Sequence, residues 1–97
     1  MMCGGTSDVK SADEEIQSIV NQVKNAAEEK AGKKFDTFVA VQYKSQVVAG
    51  TNYFVKVNVG DSHIHLRVFK PLPHTGASAE LSDLQKGKTV DDPIEYF

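Results

Sequence analysis

Two neighbouring runs of alternating apolar and polar residues constrain the fold of this chain more than any other feature. In residues 53–59 the apolar side chains other than Phe54 occupy odd positions, and in residues 63–70 they occupy even positions up to Val68. Such alternation is the period of a β-strand with one buried face. The polar sequence Gly60-Asp61-Ser62 between the two runs predicts a hairpin turn. The chain therefore needs a second layer that covers one face of an antiparallel sheet.

A single amphipathic helix is predicted to supply that layer, because apolar residues recur at helical spacing up to about residue 31. Ser11 and Glu14 have the spacing of a capping box, in which a serine caps the helix and a glutamate three residues later reaches back. Gly32 is expected to end the helix. The predicted apolar stripe consists of Ile16, Ile19, Val20, Val23, Ala26 and Ala27, with Ala31 at its end.

The remaining segments extend the sheet into a meander. Residues 38–48 are rich in Val, Phe and Tyr and predict a strand, whereas residues 75–88 are polar and predict a loop. Residues 90–97 are interpreted as a final strand, interrupted near Pro93. One helix followed by antiparallel strands predicts an α+β domain.

The length of 97 residues suits one domain over residues 1–97. Residues 1–10 are mostly small and polar and contain Gly4-Gly5, so they predict a mobile N-terminal arm. Nothing in this arm resembles a signal peptide, and no apolar run approaches the roughly 20 residues of a membrane span. Cys3 is the only cysteine, which excludes an internal disulfide. We therefore expect no membrane association and a cytoplasmic location, with the nucleus as a second compartment.

Two of the predicted loops are apolar, where loops are normally polar. One is Gln46-Val47-Val48-Ala49-Gly50 and the other is Leu72-Pro73. Because successive antiparallel hairpins alternate ends, both loops should lie at the same end of the sheet, opposite Gly60-Asp61-Ser62. The pattern predicts a narrow apolar edge on an otherwise solvated domain, and such an edge is typical of a partner-binding surface. The alternative is that these side chains fold under their loops as small satellite clusters.

Charge and chemistry exclude several other functions. The net charge of −2 and the scattered lysines argue against nucleic-acid binding, which needs a basic stripe. His63 and His65 share one strand face and could begin a zinc site. No third ligand is evident nearby, so two solvent-facing histidines are the preferred interpretation. Glu28-Glu29 and Asp91-Asp92 are adjacent carboxylates whose side chains point apart, which argues against a catalytic pair. Cys3 is interpreted as a small contact residue rather than a reactive thiol. We therefore expect no catalytic site, metal or cofactor.

The first apolar loop resembles a known motif. Gln46-Val47-Val48-Ala49-Gly50 is similar to the central QxVxG motif of the cystatins, inhibitors of papain-like cysteine proteases. Gly4 matches the glycine that this family uses near its N-terminus, and Leu72-Pro73-His74 resembles its second hairpin loop. The resemblance extends over the whole chain, from Met-Met-Cys-Gly at the start to Tyr96-Phe97 at the end. The length, and the lack of disulfides and of a signal peptide, indicate the stefin branch (type 1 cystatins).

This resemblance implies a five-stranded antiparallel sheet wrapped around one long helix, with a short first strand near the arm. It also implies a reversible, tight-binding, non-covalent inhibitor of papain-like, cathepsin-type proteases, whose arm and two hairpin loops form a wedge that enters the active-site cleft. The family can exchange an element across the first hairpin, so we expect a monomer that is able to form a domain-swapped dimer. The alternative is a non-inhibitory interaction module that uses the same apolar edge. The residues expected in the wedge are Met2, Cys3, Gly4, Gln46, Val47, Val48, Ala49, Gly50, Leu72, Pro73 and His74.

Overall fold

Five antiparallel strands and two helices make up the part of the chain that the computed structural model describes, namely residues 9–48, 50–72 and 78–94. The strands form one sheet in the order β1-β2-β3-β4-β5. This arrangement confirms the α+β class and the antiparallel meander. In chain order the elements are β1 Lys10–Ser11, α1 Glu14–Gln22, α2 Lys24–Ala31, β2 Val39–Val48, β3 Gly50–Asn58, β4 His63–Lys70 and β5 Glu80–Lys88.

The prediction of one long helix is wrong, because the helix is interrupted at Val23. This residue has φ −108° and ψ 8°, and its N–H donates to the carbonyl of Val20, three residues back, at 3.1 Å. The regular pattern resumes at once, since the N–H of Ala27 donates to the carbonyl of Val23 at 2.9 Å. Valine has a low helix propensity because its β-branch crowds the preceding turn. The buried Val23 side chain therefore keeps its place in the core while its backbone leaves helical geometry.

The start of α1 also differs from the predicted capping box. Asp13 is the cap, and its carboxylate accepts a hydrogen bond from the N–H of Ile16 at 3.0 Å. Ser11 is not the cap because α1 begins only at Glu14, and Ser11 still pairs with β2 as part of β1. Lys10, the last residue of the predicted arm, is also part of β1. Gly32 ends α2 as predicted, with φ 76°.

The core lies between the helices and one face of the sheet. Val55 and Val57 of β3 and Leu66 of β4 are fully buried there, against the apolar stripe of the helices. Gln17, which does not belong to the predicted apolar stripe, joins the helix to the sheet. Its side-chain amide donates to the carbonyl of Phe38 at 3.0 Å and accepts from the N–H of Ala40 at 2.8 Å. These bonds fix α1 against the start of β2.

The fifth strand lies where the sequence predicted a loop. The structure places β5 inside residues 75–88, whereas residues 90 and 91 form a turn rather than the predicted final strand. Residues 95–97 of that predicted strand lie outside the described residues. β5 is an edge strand, and its pairing with β4 shifts register twice. Each bulge inserts an extra residue and breaks the alternation of period two, so this polar strand resembles a loop in sequence.

The sheet face opposite the helices is covered as well, although its sequence is mostly polar. Phe54, Lys56 and His65 are at most 2% exposed, and Ile94 is 1% exposed. The ammonium group of Lys56 donates to the carbonyl of Val90 at 2.6 Å, which ties the segment after β5 to β3. The prediction of two solvent-facing histidines is therefore wrong for His65.

We expect acid to destabilise the fold through His65. Burial lowers the pKa of His65 from 6.5 to about 4, the positive charges of Lys88, Lys56 and His63 act in the same direction, and Asp92 opposes them. Because the folded protein favours the neutral ring, the unfolded chain binds more protons below pH 6.5. Stability is therefore fully present above pH 6.5 and falls between pH 6.5 and about 4, by about 3 kcal/mol for this one group.

Urea unfolding at pH 7 and pH 4 measures this loss. His65→Gln should lose about 3 kcal/mol less than the wild-type protein over that interval, because the ionisable ring is gone. His63→Gln is the matched control, since His63 shares the strand face but is only half-buried. An acid loss in His65→Gln as large as that of wild type would contradict the prediction.

Candidate functional site

The β2–β3 hairpin and the segment after β4 meet at one end of the sheet. The strand register pairs Val48 with Gly50 and Thr51 with Lys70, so the chain beyond Lys70 runs beside the hairpin tip. The polar turn Gly60-Asp61-Ser62 lies at the opposite end, as the alternation of hairpins predicts. We call the first end the tip end, and it comprises Gln46, Val47, Val48, Gly50, Thr51, Lys70, Pro71 and Leu72.

Two large apolar side chains of the tip end face solvent. Val47 is 75% exposed and Leu72 is 39% exposed. For Val47 and Leu72 this exposure contradicts the alternative in which the loop side chains fold under their loops. The side chains of Val48, Ala49 and Pro73 lie outside the described part of the structure. A valine that is 75% exposed adds little to the core, so Val47 presents apolar surface that a partner could cover.

Gln46 lies beneath the tip instead of projecting from it. Its side chain is only 6% exposed, and its Oε1 accepts a hydrogen bond from Nδ2 of Asn52 at 3.1 Å. Asn52 is directly opposite in β3 and is equally buried. Gln46 thus supports the tip from below.

Gly50 brings the two loops together. Its φ of 123° lies outside the range that L-residues adopt readily. A Cβ atom at this position would lie 2.7 Å from the carbonyl oxygen of Lys70 and 2.9 Å from Cζ of Phe69. Only glycine therefore lets the end of β4 pass this close to the hairpin.

A small cavity of about 170 Å³ opens between the two loops. On one side Lys70 Nζ lies 3.9 Å from the carboxylate of Glu15 in α1, and both groups are largely exposed, so the pair contributes little to stability. Burial raises the pKa of the Tyr53 hydroxyl, and Glu15 adds to this effect, so the phenol is neutral at physiological pH. The residues lining the cavity are Gly50, Thr51, Tyr53, Lys70, Pro71 and Leu72.

Within residues 9–48, 50–72 and 78–94, no three His, Cys, Asp or Glu side chains lie close enough together to hold a metal ion. The described helices are also too short and too polar to cross a membrane.

Five of the predicted wedge residues lie at the tip end, and the other six lie outside the described residues. Asn52 and Phe69 were not predicted, although counting the register outward from the hairpin tip would have placed Asn52 opposite Gln46. The residues placed at the tip end are Gln46, Val47, Val48, Gly50 and Leu72, of which Val48 is described by its backbone alone. Those outside the described residues are Met2, Cys3, Gly4, Ala49, Pro73 and His74.

The sequence similarity of the whole chain agrees with this geometry. A family model described as the cystatin domain matches residues 4–91. The chain belongs to the cystatin family. This cystatin is 56% identical to cystatin-B of Oplegnathus fasciatus over 98 residues, which cover 100% of this chain and 98% of that protein. It is 55% identical to cystatin-B of Paralichthys olivaceus and 52% identical to that of Homo sapiens, over the full length of each. These similarities confirm the resemblance that the motif indicated.

Proposed function

We propose that this cystatin is a reversible, tight-binding and non-covalent inhibitor of papain-like cysteine proteases of the cathepsin type. Membership of the family supports a cysteine protease inhibitor rather than an enzyme. The observation that carries the proposal is the exposure of Val47 and Leu72 at the same end of the sheet, where the QxVxG motif lies.

In this proposal the two loops of the tip end fill the apolar active-site cleft of the protease. Burying one valine side chain completely contributes roughly 1.5–3 kcal/mol, and Leu72 adds a second contact. The hairpin is part of a continuous sheet, so it loses little conformational entropy on docking and more of this burial appears as affinity. The inhibitor occupies the cleft without forming a covalent bond.

The N-terminal arm is proposed to supply the third contact. β1 is antiparallel to β2, with Lys10 opposite Tyr43 and Ser11 opposite Gln42. The N-terminal end of β1 therefore faces the direction in which β2 continues towards Val47. This direction supports a contact of Met2, Cys3 and Gly4 with the same cleft, in which Gly4 lets the chain turn away from the protease nucleophile.

Titration of active papain with the purified protein tests the proposal. We expect stoichiometric loss of activity at nanomolar enzyme, recovery of activity after dilution, and recovery of the inhibitor uncut. The titration uses the monomer from gel filtration, since exchange across the β2–β3 hairpin would open the tip. Full papain activity at a large excess of the protein would favour the alternative, a module that binds a different protein through the tip end. Cleavage of the protein in proportion to papain would contradict simple occlusion.

A further inference from the structure

Two side-chain amides are buried against each other directly below the hairpin tip. Gln46 and Asn52 are opposite residues of β2 and β3, and the next pair towards the tip is Val47 with Thr51. Gln46 is 6% exposed and Asn52 is 7% exposed. Burying an amide is unfavourable unless it is hydrogen-bonded, and here Nδ2 of Asn52 donates to Oε1 of Gln46 at 3.1 Å.

This bond selects one geometry of the hairpin. A shift of the register by one residue would move one of the two amides to the other face of the sheet and separate them. The bond therefore favours a single register and twist at this buried pair, which lies two positions below the terminal pair of Val48 and Gly50. Val47, one residue further, is 75% exposed, so its own side chain adds little packing to hold the tip.

We propose that Asn52 is a positioning residue, which holds the hairpin tip in its binding geometry through its hydrogen bond to Gln46. The inference rests on the proposed function, since the geometry in question is that of protease binding. Asn52 is too deeply buried to present its side chain to a partner, and it acts through the backbone of the tip. An ordered tip loses less conformational entropy on docking, and differences between related complexes appear chiefly in the dissociation rate.

Stopped-flow kinetics with papain give the first test. Asn52→Leu keeps the branched shape and the number of side-chain heavy atoms, and it removes the Nδ2 donor to Gln46. We expect its dissociation rate constant to rise about ten-fold while its association rate constant stays within about two-fold of wild type. Asn58→Leu is the matched control at the other end of β3, where the Asn58 side chain accepts from the N–H of Gly60 at 2.8 Å. Its dissociation rate constant should equal that of wild type.

Hydrogen exchange of the free protein gives a second test that needs no protease. Loss of the bond should speed exchange about ten-fold at the amides of residues 47, 48, 50 and 51. The amides of Val57 and Ile64, which pair near the opposite end, should exchange as in wild type. A general loss of stability would speed exchange at both ends, so this pattern separates positioning from a merely structural role. Asn52→Thr, which suits a strand but is too short to reach Gln46, serves if the leucine variant does not fold.

The outcomes separate this inference from the proposed function. Faster dissociation together with faster exchange confined to the tip supports the inference. An unchanged dissociation rate, or exchange that is unchanged at residues 47–51, overturns it. If the wild-type protein does not inhibit papain at all, the proposed function fails, and the exchange of the free protein still decides whether Asn52 orders the tip.

Discussion

Val47→Asp should raise the inhibition constant for papain at least about 100-fold while the free energy of unfolding changes by no more than about 0.5 kcal/mol. The fold is insensitive because Val47 is 75% exposed in the free protein. Binding is sensitive for two reasons. The substitution removes the contact of the valine side chain with the cleft, which contributes roughly 1.5–3 kcal/mol, and docking would desolvate the new carboxylate in an apolar cleft where it has no partner. Inhibition assays and urea unfolding of the same preparation measure the two quantities.

Val39→Asp is the control for this substitution. Val39 is the first residue of β2, is 51% exposed and pairs with Asn58 near the polar end of the sheet. The same change of side chain is thus made on the same strand, but far from the tip end. Its inhibition constant should match that of wild type. Equal weakening by the two substitutions would show that charge in general, rather than the tip, determines binding.

The position of the two apolar loops at the same end of the sheet was predictable, because it depends only on the alternation of residues along a strand and on the alternation of consecutive hairpins between the two ends. Alternation assigned residues 53–59 and 63–70 to strands, and consecutive hairpins must then alternate ends. This reasoning placed Val47 and Leu72 at the same end without any knowledge of side-chain packing. The register of β3 with β4, in which Thr51 pairs with Lys70, confirms that placement.

The errors occur where tertiary packing overrides the local pattern. The apolar stripe continues through Val23 because that side chain is buried in the core. The spacing of the stripe does not reveal that the N–H of Val23 donates to the carbonyl of Val20, three residues back, instead of to the carbonyl four residues back. β5 was mistaken for a loop because two bulges interrupt its alternation. His65 was expected in solvent because strand alternation places it on the polar face, and alternation cannot show that the segment ending at Ile94 covers that face.

The candidate site was predicted in part for a similar reason. A motif names the residues of a loop, such as Val47, but not those that support it from a neighbouring strand. The approach of Phe69 to Gly50 depends on the twist between β3 and β4, which sequence spacing does not determine. Asn52 was predictable in part, since its pairing with Gln46 follows from the register once the hairpin tip is known.

Among glycine-to-alanine substitutions in the described part of the chain, Gly50→Ala should lower the stability of the fold most. The added Cβ would lie 2.7 Å from the Lys70 carbonyl oxygen and 2.9 Å from the Phe69 ring, and the backbone would remain at φ 123°. Strain of this kind costs about 1–3 kcal/mol, and the contact with backbone adds to it because a carbonyl cannot rotate away. We expect a loss of about 2–4 kcal/mol, seen as a fall of roughly 10–20 °C in Tm. Inhibition of papain at 15 °C should weaken at least about ten-fold, since the loops must separate.

Gly32→Ala is the control that separates the effect of backbone strain from the effect of steric contact with the second loop. Gly32 also has a positive φ, 76°, but no atom lies within 4 Å of the position that its Cβ would take. The control should therefore lose only about 1 kcal/mol and retain full inhibition, since it lies at the end of α2 away from the tip end. A loss in Gly50→Ala no larger than in Gly32→Ala would mean that the second loop does not press against the first. The two loops would then be independent of each other, and Gly50 would not hold the end of β4 against the hairpin.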